Sequence, residues 1–168
     1  VAPVYHDGTI FSMGTTGRLF AYRASDGKKL WQTEPEERMV EERKKHLARS
    51  YVLQASASYG WVQSLVNAGG TLVVPRQTTL FGLDPATGKR KWELQKIISR
   101  WNTPTVWRHE NKEYLLCATG GKPGEAQLNL VDPAVGKVLW TVDGLHSTQF
   151  NLAPSSTRVM VNVGSKIM

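Results

Sequence analysis

Arg100, Trp101 and Asn102 stand side by side in the chain: a cation, an aromatic plane and an amide. Such a triple could hold a planar or anionic ligand, with the indole as a stacking face and the other two groups setting orientation. The same residues also have a structural use, with Trp101 plugging a gap between packed elements and Asn102 capping a turn, and that use carries more weight. Other chemistry is sparse. The four histidines, His6, His46, His109 and His146, are scattered without metal-ligand spacing. Neither a Gly-x-Ser-x-Gly elbow nor a Walker-type phosphate loop is present. Gly120-Gly121-Lys122-Pro123-Gly124 has the composition of a phosphate loop, but no helical pattern follows it, so a flexible turn is expected. The single cysteine, Cys117, lies in an apolar strand and reads as a buried, inert thiol. No disulfide can form within the chain, and no Cys-x-x-Cys pair marks haem or metal.

The elements that would position these groups come from a repeat. A thirteen-residue phrase occurs three times: LFAYRASDGKKLW from Leu19 to Trp31, LFGLDPATGKRKW from Leu80 to Trp92, and LNLVDPAVGKVLW from Leu128 to Trp140. Self-similarity of this kind marks an architecture built from one reused unit. Each phrase reads as a β-hairpin. An apolar or mixed strand runs into Asp84-Pro85-Ala86-Thr87-Gly88 or Asp132-Pro133-Ala134-Val135-Gly136, with Pro where φ is near −65° and Gly where φ must be positive. Ser25-Asp26-Gly27 serves in the first copy, where Arg23 replaces Asp and removes one side-chain acceptor. The second strand closes on Trp31, Trp92 or Trp140.

Residues upstream repeat as well. Ala2–Tyr5, Gln63–Val66 and Thr103–Val106 read as short strands, as do Thr9–Met13, Thr71–Val74 and Glu113–Cys117. His6-Asp7-Gly8, Asn67–Gly70 and Arg108–Lys112 are the expected turns between them. The unit is then four antiparallel strands, A to D, with Trp on D. The fold expected is all-β: a β-propeller arc of about three and a half four-stranded blades. Blades occupy 2–34, 63–95 and 103–143, and a partial fourth occupies 150–168. Residues 35–62 form an insertion, in which Glu36 to Arg49 is rich in helix formers, with acidic residues early and basic residues late. A short solvated helix in a decorated loop is the expectation; a partner-binding or lid element is the sharper alternative.

The formal net charge is +7, part of it in Lys28, Lys29, Lys89, Arg90 and Lys91 at hairpin tips and D strands. A solvated basic face explains this better than nucleic-acid or anionic-lipid binding, and no Arg-Gly-aromatic or zinc-finger pattern supports nucleic acid. No hydrophobic run is long enough to span a membrane.

The phrase resembles the repeat of pyrroloquinoline-quinone (PQQ) dehydrogenases and their non-enzymatic relatives, which include the β-barrel assembly lipoprotein of bacterial outer membranes. That pattern runs roughly Leu-Tyr-Ala-Leu-Asp-x-x-Thr-Gly-Lys-x-x-Trp. Leu80, Leu83, Asp84, Thr87, Gly88, Lys89 and Trp92 match it, as do Leu128, Asp132, Gly136, Lys137 and Trp140, and Leu19, Ala21, Gly27, Lys28 and Trp31. The resemblance implies that the D-strand Trp packs on the Gly-containing turn of a neighbouring blade, which makes Gly27, Trp31, Gly88, Trp92, Gly136 and Trp140 blade-docking residues. It also implies a ligand face built from D–A and B–C loops, where Arg76, Gln77, Arg100, Trp101, Asn102, His146, Gln149 and Asn151 fall. Parts of a PQQ dehydrogenase are missing: the adjacent-cysteine disulfide, an assignable Glu, Asn and Asp set for calcium, and an assignable Asp base.

Two functions follow as expectations. The favoured one is a non-catalytic scaffold that binds a protein, peptide or glycan through its loop face. The alternative is the propeller portion of a PQQ- and calcium-dependent alcohol or sugar dehydrogenase, with its cofactor residues mostly elsewhere. An extracytoplasmic location is implied by the resemblance. A propeller needs about four to eight blades to close, so further blades or a second copy are expected to complete the ring.

Overall fold

The computed structural model describes residues 2–14, 16–35, 37, 63–99, 102–120, 124–145, 152–163 and 166–167. The helix expected between Glu36 and Arg49 lies outside them apart from Glu37. Two compact units divide the chain, Val1–Leu65 and Val66–Met168.

The first unit holds β1 (Val4–His6), β2 (Thr9–Met13), β3 (Leu19–Arg23) and β4 (Lys29–Gln32), paired antiparallel in sequence order. Phe11, Ala21 and Trp31 lie opposite one another across three strands, and Phe11 and Ala21 are buried. The rings of Phe11 and Trp31 are 5.8 Å apart. The turn from β3 to β4 recovers the acceptor that Arg23 removes. Asp26 accepts from the backbone N–H of Lys28 at 3.0 Å with one oxygen and from Arg23 at 2.9 Å with the other. The Lys28 hydrogen bond, offset by a small desolvation penalty and aided by Arg23, holds the exposed Asp26 carboxyl below its ordinary pKa.

The second unit contains three sheets. One is β5 (Val66–Ala68), β6 (Thr71–Arg76), β7 (Thr79–Leu83) and β8 (Arg90–Leu94). The next is β9 (Thr105–His109), β10 (Lys112–Ala118), β11 (Ala126–Asp132) and β12 (Lys137–Leu145). The third is β13 (Leu152–Pro154), β14 (Val159–Val163) and β15 (Lys166–Ile167). All three are antiparallel meanders in sequence order.

The A–B turns are tighter than the composition suggests. Only Gly69-Gly70 and Glu110-Asn111 lie outside the strands, with φ of 54° and 66° in the first and 48° and 60° in the second. Two consecutive positive φ angles are what a two-residue hairpin needs to match strand twist. Strand β5 therefore runs on to Ala68, and β9 on to His109, where turns had been expected.

Strand β10 is buried on both faces, which explains why Tyr114-Leu115-Leu116-Cys117-Ala118 is apolar throughout instead of alternating. Leu115 and Cys117 join Val66, Ala68, Val73, Leu80, Ile97, Ile98 and Val131 in one cluster. Leu116 and Ala118 join Ala126, Leu128, Leu130 and Leu145 in another, against which Leu152 and Val159 pack. One core thus joins the first and second sheets of this unit, and the other joins the second and third. Burial pushes the Cys117 thiol well above the usual cysteine range.

Candidate functional site

Each phrase ends on a Trp, and Trp92 shows how one is held. Its side chain leaves β8 on the face of Gly82, directly opposite in β7. A Cβ at Gly82 would overlap the indole, so only Gly lets the ring lie flat on its own sheet. The indole N–H donates to the Pro133 carbonyl at 2.9 Å. Gly136, at φ 66°, closes the other side, and a Cβ there would also overlap the ring. The 132–136 turn is itself fixed from within. The Asp132 carboxylate accepts from the Ala134 N–H at 2.9 Å, and the Gly136 N–H donates to the Asp132 carbonyl at 2.9 Å. A large apolar ring with one polar edge thus meets a turn with no Cβ and one free carbonyl. Trp31 is partly buried beside Phe11; Gly27 and Gly88 are at φ 70° and 72°; Trp140 is 39 % exposed.

Of the expected loop-face residues, Arg100, Trp101, His146, Gln149 and Asn151 lie outside the described residues. Arg76 ends β6, and Asn102 lies beside the end of β10, so both occupy the B–C end of their sheets. The Asn102 side chain donates to the Ala118 carbonyl at 3.2 Å, and its backbone N–H donates to the Ser99 carbonyl. Its amide ties the loop to the end of β10. The Arg76 guanidinium carbon lies 5.2 Å from the centre of the Phe81 ring, and that of Arg90 lies 4.5 Å from the same ring. Burial, helped by the charge of Arg90, pulls the Arg76 pKa down to about 10. Arg90 is also paired with Glu93 at 3.0 Å. Gln77, next to Arg76, adopts φ 57° in the B–C turn.

A cleft of about 860 Å³ opens at the opposite end, among the A–B and C–D turns. Arg108, His109, Glu113, Tyr114 and Asp132 line it. The Glu113 carboxylate binds Arg108 at 2.9 Å and accepts from the Gly69 N–H at 3.0 Å, which links two sheets. His109 stacks on Trp107 at 4.7 Å and shares a 2.6 Å hydrogen bond with the Ser156 carbonyl. The Trp107 indole donates to the Ser155 carbonyl at 2.7 Å. These polar groups fasten one sheet to the next. The sequence signal for this end is the charge density of residues 108–113, where the composition suggests a turn at Arg108–Lys112 and a strand from Glu113.

A family model described as outer membrane protein assembly factor BamB matches residues 1–141. The chain belongs to that family. No curated protein matches it in sequence. Among solved structures, BamB from Moraxella catarrhalis superposes with a TM-score of 0.57 at 16% identity, covering 92% of this chain and 39% of that one. Quinohemoprotein alcohol dehydrogenase from Comamonas testosteroni gives a TM-score of 0.57 at 18% identity, covering 85% of this chain and 20% of the enzyme. The computationally designed Ika4 protein gives 0.59 at 14% identity, covering 99% of this chain and 88% of its own. This BamB-family chain therefore spans about a fifth of the dehydrogenase and two-fifths of BamB. The likenesses show the fold: an all-β partial propeller built from PQQ-type repeats.

The dehydrogenase likeness raises the question of PQQ and calcium. Calcium takes about six to eight oxygen ligands, with carboxylates prominent among them. The described residues assemble no group of three His, Cys, Asp or Glu side chains that could hold a metal ion. Of the three carboxylates that line the cleft, Glu113 and Asp132 are engaged by backbone N–H groups and Arg108, and Glu110 lies 3.7 Å from His109. The described residues of this BamB-family chain therefore assemble no calcium-ligand set.

Proposed function

We propose that this chain is part of a non-catalytic PQQ-like propeller that binds a protein, peptide or glycan through its B–C and D–A loop face, outside the cytoplasm. Membership in the BamB family over residues 1–141 carries the reading. The role from which that family takes its description, outer membrane protein assembly, is work on other proteins and favours a protein partner. The geometry supports it in a second way. The polar side chains that the structure brings together in the cleft serve contacts between sheets. In such a protein the repeats supply rigidity, and the loops supply recognition.

Site-specific photocrosslinking in cells tests where the partner sits. Crosslinkers at Gln77 and Lys96, on the B–C and D–A loops of the first sheet of the second unit, should capture a discrete partner. One at Asn111, on the opposite end, should not. Capture only at Asn111 would move the site to the cleft. Turnover of an alcohol or sugar by the chain, reconstituted with PQQ and calcium and read by dye reduction, would replace the scaffold with an oxidoreductase.

A further inference from the structure

In the cleft at the A–B end, some polar groups are used by the fold and others are not. Both Glu113 oxygens accept, one from Arg108 and one from the Gly69 N–H, and Asp132 accepts from the Ala134 N–H. The remaining capacity comes from the β9–β10 tip. Arg108 donates only through Nε, which leaves the terminal nitrogens of an exposed guanidinium unengaged among the described residues. The Asn111 amide, the Lys112 ammonium and the Tyr114 hydroxyl make no hydrogen bond among the described residues. His109 adds an acceptor. The Ser156 carbonyl can only accept, so Nδ1 carries the hydrogen, and Nε2 of the neutral ring presents a lone pair. The exposed Glu110 carboxylate stands 3.7 Å from that nitrogen.

The charge of the cleft decides what these groups would hold. Two cations line it, Arg108 and Lys112, against three carboxylates, Glu110, Glu113 and Asp132. An anion such as phosphate would face that acidic excess. A metal ion finds no group of three ligands among the described residues. What remains is a mixture of donors and acceptors beside the rings of His109 and Tyr114. That mixture suits a neutral polyhydroxylated ligand. Each sugar hydroxyl both donates and accepts, and the C–H face of a sugar ring rests on the negative face of an aromatic ring. The tip offers its groups on two sides: Arg108 pairs across the strands with Glu113 on one, and His109 with Lys112 on the other. A ligand of more than one ring is needed to reach both. We propose that the cleft binds a short neutral oligosaccharide laid across the β9–β10 tip, with the Asn111 amide and the Tyr114 hydroxyl reading its hydroxyl groups. The volume of the cleft falls within the range of about 300–1,000 Å³ typical of clefts that take a small ligand. This site lies at the opposite end from the B–C and D–A loop face, and it stands or falls independently of the function proposed for that face.

The test titrates cellotriose, maltotriose and triacetylchitotriose into the isotopically labelled chain. The side-chain amide of Asn111, assigned with Asn111→Gly, is followed by NMR. Glycine keeps the positive φ of that position, 60°, so the turn survives the loss of the amide. At least one of these sugars should shift the resonance and saturate it at roughly millimolar concentration. Asn111→Gly and Tyr114→Phe, which removes only a hydroxyl, should each weaken binding roughly threefold to tenfold, the worth of one hydrogen bond, as read by saturation transfer to the sugar. No shift from any of the sugars at about 10 mM, or binding indifferent to both variants, overturns the proposal. So does inorganic phosphate or tetraglutamate that moves the same resonance at a lower concentration than every sugar, because the cleft would then be an anion site.

Discussion

The sheets β5–β8 and β9–β12 are built from one phrase, yet their last-strand tryptophans end differently. Trp92 is held on both sides, by Gly82 of its own sheet and by the 132–136 turn of the next. Trp140 leans on its own sheet and meets solvent. The phrase therefore sets where the ring points, and the neighbour decides whether the ring is buried. The A–B tips of the same two sheets differ in the other direction. Gly69-Gly70 and Glu110-Asn111 adopt the same pair of positive φ angles with very different residues. Here the geometry is shared, and the cost of reaching it is not.

The largest effect expected from this comparison is at Trp92. Trp92→Ala should lower stability by roughly 3–5 kcal/mol, because it removes a large packed ring and leaves the Pro133 carbonyl without its donor. Chemical denaturation measures it, and a loss below ~1 kcal/mol would mean that the docked ring contributes little to holding the blades together. Gly136→Ala comes next, at roughly 2–3 kcal/mol, since a Cβ must displace the Trp92 ring while the backbone keeps an unfavourable φ. Gly27→Ala provides the reference. It has the same sign of φ, 70°, but nothing near the added methyl, so it should cost only about 1 kcal/mol. The difference between the two is the part that belongs to the Trp92 contact. Equal losses would remove the distinction between an occupied turn and an open one.

Trp140→Ala should cost about 1 kcal/mol or less in the chain alone, the range of a partly exposed side chain away from special features. A loss as large as that at Trp92 would show that Trp140 is buried in solution.

The scaffold was legible in the sequence because its signals are local. The Gly-containing turns, the strand spacing and the terminal Trp each occupy a few consecutive residues; three copies repeat them, and two of the three share the Asp-Pro-x-x-Gly form. The double-sided burial of β10 could be read from its unbroken apolar run. The strand ends were less legible: Asn67, Ala68, Arg108 and His109 look like turn residues by composition but stay in strand, because the hairpin needs only two residues with positive φ. The candidate site was the least legible. Arg76 stands out in the sequence for its loop position, but the structure sets it over the Phe81 ring and within reach of the Arg90 charge, one strand and two strands away in the same sheet. Glu113 was read as part of a strand, yet its carboxylate bridges Arg108 and the Gly69 N–H, 44 residues away in sequence. Pairings at that range depend on which blades are neighbours, and no short motif encodes them.

The smallest effect tests the tips. Glu110 sits at φ 48° and Asn111 at φ 60°. A positive φ costs an ordinary L-residue roughly 1–2 kcal/mol, and Asn tolerates it better than Glu because its short amide can bond locally. Glu110→Asn should therefore stabilise the chain by about 0.5 kcal/mol, raising the thermal midpoint by ~1–2 °C for a chain of this size. The counterweight is the contact between Glu110 and His109, 3.7 Å long and exposed on the Glu side, which is ionic only when the ring is protonated. A loss of stability would show that Glu110 is held in place by something other than turn geometry, and would make the A–B tip of this sheet a functional element in its own right.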